Sequence, residues 1–245
     1  DSIDWSKFAY VLYATSSSHM CNSMMIFAEL RKFNTRAELV LLVKQEFLSD
    51  LDNHKHEYET LTKFSSDFNV VLKPTPVTQI GGDEVDIWKS SFTKLMVFNE
   101  SDYDRIIYLD ADAIVLQGNL DELFFLPPVK LAVPTAYWLT KIQYEKMAID
   151  EFQLTNIVMV IQPSRELFAR VLNAIENKRK NEYDMDLHFS YLADTHEQVF
   201  AHRLLETSNR EPAYYETKHM EKPGEYFAEN IKYLHFSDAP VPKPW

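Results

Sequence analysis

Three uninterrupted apolar runs, each joined to the next by helical patterns, constrain the fold more than any other feature. They are Phe8-Ala9-Tyr10-Val11-Leu12-Tyr13, residues 39–43, and Ile106-Ile107-Tyr108-Leu109. Strict alternation would mark a strand with one wet face. A continuous run marks a strand covered on both faces, as in parallel sheets. Residues 20–30 carry Met20, Met24, Phe27 and Ala28 at helical spacing, with Ser16, Ser17 and Ser18 as N-caps. Residues 51–64 predict a polar helix, 70–72 a short strand and 91–98 a helix. Further strands are expected at 113–116, 131–133, 157–161 and 231–234. Residues 166–175 put Leu167, Phe168, Val171, Leu172 and Ile175 on one helical stripe. This order predicts an α/β fold with a mostly parallel central sheet flanked by helices. No repeat, low-complexity tract or linker interrupts the 245 residues, so one domain spanning 1–245 is expected.

Composition narrows the function. The net charge of −12 repels nucleic acid and anionic membrane surfaces. Only four glycines are present, Gly81, Gly82, Gly118 and Gly224, at spacings that exclude G-x-G-x-x-G and the P-loop. A nucleotide bound here needs some other holder for its phosphates. The single Cys21 excludes an intramolecular disulfide and a Cys-based zinc site, and is expected to pack inside the first helix. No run of 18 apolar residues and no signal-peptide pattern occurs, so no membrane segment is expected in this chain.

In a parallel sheet ligands bind beyond the carboxyl ends of the strands. Asp110-Ala111-Asp112 stands at such an end, directly after Leu109. Residues two apart on an extended chain point the same way, so both carboxylates can meet at one point. That is costly without a cation, and hard oxygen ligands favour Mg²⁺ or Mn²⁺. The small Ala111 admits a ligand close to its backbone. Taken alone, the triplet also fits a solvated acidic turn. A third ligand of imidazole type suits Mn²⁺. His235 is the best of eight histidines, following an apolar run and preceding a proline-rich end that holds Lys243 on a stiff segment.

Three segments together resemble glycogenin-like glycosyltransferases of family 8. The first runs from Tyr103 through Asp110-Ala111-Asp112 to Phe124, with Thr93-Lys94-Leu95 upstream. The second is the end, Leu234-His235-Phe236-Ser237-Asp238 through Pro242-Lys243-Pro244-Trp245. The third is the start, Asp4 to Tyr10, which with the Ser-Asp and extra prolines of the end is similar to a fungal branch resembling α-N-acetylglucosaminyltransferases. The resemblance implies a GT-A fold, a UDP-sugar donor, a carbohydrate or other hydroxyl acceptor, Mn²⁺ or Mg²⁺, and retention at the anomeric carbon. It implies that Asp110, Asp112 and His235 bind the metal. It places Ala14, Thr15, Ser16 and His19 at uridine, Ala111 along the donor, and Lys94 and Lys243 at phosphate or sugar. Asn156 and Asp186 are implied beside the donor sugar, with Glu197-Gln198 as a rival to Asp186. Leu187 departs from the glutamine that glycogenin has there. The Golgi lumen is the compartment expected from the resemblance, with secreted and cytoplasmic placement open.

Two other readings of the same residues stand beside the transferase. One is a metal-dependent phosphohydrolase, whose D-x-D also follows an apolar strand. The other is a non-catalytic or hydrolytic UDP-sugar-binding relative.

Overall fold

The computed structural model describes residues 3–77, 91–133, 156–177 and 232–236. A single 3-10 turn (Trp5–Lys7) leads into β1 (Phe8–Ala14), which the first apolar run forms. Helix α1 (Ser17–Lys32) follows, and Ser16 caps it by accepting a hydrogen bond from the His19 N–H. After β2 (Glu38–Lys44) come the short α2 (Glu46–Ser49) and α3 (Leu51–Phe68). The Asp50 carboxylate caps α3 from the Asn53 N–H, and Asn69 ends it in the left-handed conformation at φ 51°. β3 (Val70–Thr75), a 3-10 helix (Ser91–Asn99) and β4 (Arg105–Leu109) come next. β5 (Ala113–Val115), a second 3-10 helix (Asp121–Phe125), β6 (Leu131–Ala132), β7 (Val158–Ile161), α4 (Arg165–Asn177) and β8 (Tyr233–His235) complete the described elements.

Six strands form one sheet in the order β3-β2-β1-β4-β7-β6. The four strands from β3 to β4 run parallel, while β7 is antiparallel to β4 and to β6. The strand period of two splits β1 between two cores. Tyr10, Leu12 and Ala14 face one layer with Met20, Ile26, Phe27 and Leu30 of α1 and Leu61 and Phe64 of α3. Ala9 and Val11 face the other, with Leu95, Val97 and Phe98 of the first 3-10 helix and Val171 of α4. Each such buried aliphatic chain contributes about 1.5–3 kcal/mol. Strand order reverses between β1 and β4, and in open α/β sheets ligands bind at the carboxyl edge of such a switch point.

Two expectations need correction. Cys21 is exposed, not buried. The face that α1 turns inward carries Asn22 and Ser23 together with Ile26, Phe27 and Leu30, so Cys21 falls on the outer side. Leu172 is also exposed, while Leu167, Phe168 and Val171 pack inward. The side chain of Ile175 lies outside the described residues.

β3 continues past Leu72 through Pro74, which sits opposite Val43. An edge strand tolerates a residue with no N–H to donate.

Candidate metal centre at the sheet switch point

The site begins with a buried strand. All five residues of β4 are buried, so the chain emerges at the carboxyl edge with its next side chain fixed in direction. That residue is Asp110. Its N–H donates to the Ile157 carbonyl at 3.0 Å, beside the start of β7. Asp112 lies two residues on, where the chain enters β5.

His235 reaches the pair through a second, two-stranded antiparallel sheet of β5 and β8. Ala113 pairs with His235, Ile114 with Leu234 and Val115 with Tyr233. The Phe236 N–H donates to the Asp112 carbonyl at 2.8 Å, and the Leu116 N–H to the Lys232 carbonyl at 2.7 Å. The late segment is thus sewn to the acidic triplet by its backbone. His235 Nε2 stands 2.8 Å from Asp112 Oδ1 and 3.6 Å from Asp110 Oδ2. One ligand atom from each of Asp110, Asp112 and His235 falls within 4.8 Å of the others. Two carboxylates and an imidazole, converging and largely buried, are a donor set that fits Mn²⁺ or Mg²⁺.

Charge at the site is balanced from within. Lys94 Nζ, on the first 3-10 helix, lies 3.0 Å from Asp110 Oδ1 and 3.3 Å from Oδ2. It also donates to Asn156 Oδ1 at 3.2 Å. The Tyr108 hydroxyl donates to Asp110 Oδ1. Burial pushes the Asp110 carboxyl up, but the Lys94 ammonium and the His235 ring outweigh it and hold the group below the usual carboxylate range. Burial opposes protonation of His235, yet its bonds to Asp110 and Asp112 raise it to about 9. The two carboxylates, both on its Nε2 side, thus favour the protonated ring.

The loop after β1 joins the same site. Ala14 is buried at the end of β1, and Ser16 caps α1. Thr15 Oγ1 is 3.3 Å from His19 Nδ1. The His19 ring meets Tyr13 edge-on at 5.9 Å, and Tyr13 lies parallel to Tyr108 at 6.4 Å. An unbroken run of contacts thus leads from Thr15 to Asp110.

The structure brings together Asp110, Ala111, Asp112, His235, Lys94 and Asn156, with Ala14, Thr15, Ser16 and His19 at the neighbouring strand end. The Lys94 ammonium is engaged by Asp110 and Asn156, and a bond to phosphate or sugar would compete with these. Asp186 and Lys243 lie outside the described residues, as do Leu187, Glu197 and Gln198. Sequence reasoning missed Tyr108 and Tyr233, counting both as strand interior. Tyr233 stands two residues before His235 on β8, and Tyr108, on β4, two residues before Asp110, which follows that strand; on an extended chain this spacing turns two side chains to one face.

No protein-family model matches the chain. The chain is 36% identical over 251 residues to Glucose N-acetyltransferase 1 of Gibberella zeae, covering 99% of this chain and 54% of that protein. It is 34% identical over 266 residues to Glucose N-acetyltransferase 1 of Aspergillus fumigatus, covering 99% of this chain and 66% of that one. The chain thus spans between half and two thirds of the length of these curated relatives. Among solved structures it resembles the WbbM bifunctional glycosyltransferase, with a TM-score of 0.61, 14% identity, and coverage of 100% of this chain and 48% of that one. At that identity the likeness speaks to architecture alone: the chain has the GT-A fold, α/β, with a mostly parallel sheet flanked by helices.

Proposed function

We propose that this chain carries the catalytic domain of a metal-dependent, retaining glycosyltransferase. It would move a sugar from a UDP-sugar donor to a hydroxyl of a carbohydrate or other acceptor. The observation that carries this reading is the convergence of Asp110, Asp112 and His235 at the sheet switch point. A divalent cation held by these three supplies Lewis-acid stabilisation of the negative charge that grows on a departing diphosphate.

The chain's own residues supply the rest. Ala14, Thr15, Ser16 and His19 line the loop where uridine would lie, and the small Ala111 leaves room for the donor. Lys243 offers a cation to the diphosphate; one unit pair at ~4 Å and an effective dielectric near 20 is worth about 4 kcal/mol before desolvation is subtracted. The part of that energy realised only as the leaving group takes on charge lowers the barrier. Asn156 presents its amide beside Asp110, its oxygen held by Lys94, and frames the donor sugar. To Asp186 we assign stabilisation of the oxocarbenium-like state at the anomeric carbon.

The name of these relatives, Glucose N-acetyltransferase 1, couples glucose with an N-acetyl group. On a GT-A frame we read that as transfer of N-acetylglucosamine, ahead of glucose or galactose. We place the protein in the Golgi lumen, with secreted and cytoplasmic placement as rivals. Among the described residues no helix is long and apolar enough to cross a membrane.

Titration calorimetry with UDP, with and without Mn²⁺, tests the reading. UDP binding that needs Mn²⁺ supports it. UDP binding indifferent to metal, or none, counts against the transferase. A UDP-release assay across UDP-sugars then separates a transferase from a non-catalytic relative and names the donor.

A further inference from the structure

Asp110 is held at both ends. Its Oδ1 accepts from Lys94 at 3.0 Å and from the Tyr108 hydroxyl. Its Oδ2 is the oxygen turned to His235. Its carbonyl accepts from the Tyr233 hydroxyl at 2.8 Å, and that hydroxyl is also 3.3 Å from the Ile157 carbonyl. Tyr233 thereby ties three segments at one point: the end of β4, the start of β7 and β8.

We propose that Tyr108 and Tyr233 are positioning residues of the metal centre. The Tyr108 hydroxyl fixes which carboxylate oxygen Asp110 turns toward Asp112 and His235. The Tyr233 hydroxyl fixes the Asp110 backbone against β7 and β8. This rests on the metal-site reading above.

The argument is geometric. A carboxylate has two equivalent oxygens that exchange by rotation about one bond. A phenol bound to one of them removes that freedom, and Tyr108 is placed to do so. It is fully buried and lies parallel to Tyr13, which packs its ring in place with the hydroxyl at Asp110. Tyr233 is two residues before His235 on β8, and both are buried on one face of that strand. Partners of this outer kind orient metal ligands, and losing one weakens metal binding about 10–100-fold. Lys94 also holds Asp110, but its removal changes charge as well as position. Phenylalanine in place of either tyrosine removes one hydroxyl and leaves charge and ring volume unchanged.

The test uses Tyr108→Phe and Tyr233→Phe in the 245-residue chain. Mn²⁺ alone is titrated calorimetrically without nucleotide, and the metal-free proteins are melted. The expected result is Mn²⁺ affinity weakened about tenfold in each variant. The metal-free Tm should fall by no more than about 4 °C. The Mn²⁺ electron-spin resonance spectrum of the loaded variants should change shape, which a purely structural role does not produce. Asp112→Asn serves as the comparator. Should wild type bind Mn²⁺, Asp112→Asn lose it and both tyrosine variants bind like wild type, the positioning proposal is overturned and the metal site stands. Should wild type itself not bind Mn²⁺, both are overturned. If one tyrosine variant fails to fold, the other decides.

Discussion

His235 Nε2 lies 2.8 Å from Asp112 Oδ1 although 123 positions separate them in the chain. The contact is made by the short antiparallel pairing of β5 with β8, where Leu234 stands opposite Ile114. The six-stranded sheet takes no part in that pairing. Leu234→Pro, which cannot extend the ladder regularly, is expected to release His235 while leaving the main sheet folded. Circular dichroism should be unchanged and Mn²⁺ binding lost.

Asp112 is the more open of the two carboxylates, its side chain 27% exposed against 13% for Asp110. Asp112→Ala should abolish metal-dependent UDP binding without unfolding the chain. Calorimetry with UDP and Mn²⁺ reads the loss. An affinity equal to wild type would remove the metal assignment.

The pH dependence follows from His235, raised to about 9 in the folded protein against about 6.5 when unfolded. A group with a raised folded value contributes stability that is complete below the unfolded value and lost as pH climbs through the folded one. The metal-free Tm should therefore decline between about pH 6.5 and 9. Ligation needs the neutral ring, so Mn²⁺ affinity should climb over the same window. Melting curves recorded with and without Mn²⁺ should diverge as pH rises.

Chelation should lower stability by mass action. At Mn²⁺ a hundred times its dissociation constant, the bound ion adds about 2.7 kcal/mol. EDTA should remove that increment and leave the metal-free Tm, reversibly on adding Mn²⁺ back.

Leu41 is fully buried in β2 and is not among the residues proposed to hold the metal. Leu41→Ala should cost about 2–5 kcal/mol of stability, as a cavity that the sheet cannot close. Mn²⁺ affinity measured well below Tm should stay as in wild type, which separates core damage from site damage.

The strands that position the site were legible because burial on both faces writes itself as a continuous apolar run. Asp110, Asp112 and His235 were legible because chemistry-bearing residues followed such runs at their carboxyl ends. Strand direction was not: Val158–Ile161 reads like any buried strand, yet β7 runs antiparallel to its neighbours. Direction is set by the path of the connection. The face of α1 was misread at Cys21 because Ser23 turns inward, its hydroxyl 3.5 Å from the Tyr13 carbonyl, and a buried hydroxyl leaves no apolar mark in the pattern. Tyr108 and Tyr233 were hidden for the opposite reason. Their rings satisfy the strand pattern completely, and only coordinates show where the hydroxyls go. The reach of Lys94 to Asn156, 62 positions apart, was likewise beyond any local pattern.

The β5–β8 seam sets a timetable for maturation. During synthesis the parallel strands leave the ribosome early and can pair while the rest is still being translated. The imidazole is delivered only when residues 233–235 emerge. On the proposed reading, a nascent chain stalled before that point carries a nearly finished sheet with two carboxylates lacking the third ligand, so metal uptake would mark completion of the seam and not of the sheet.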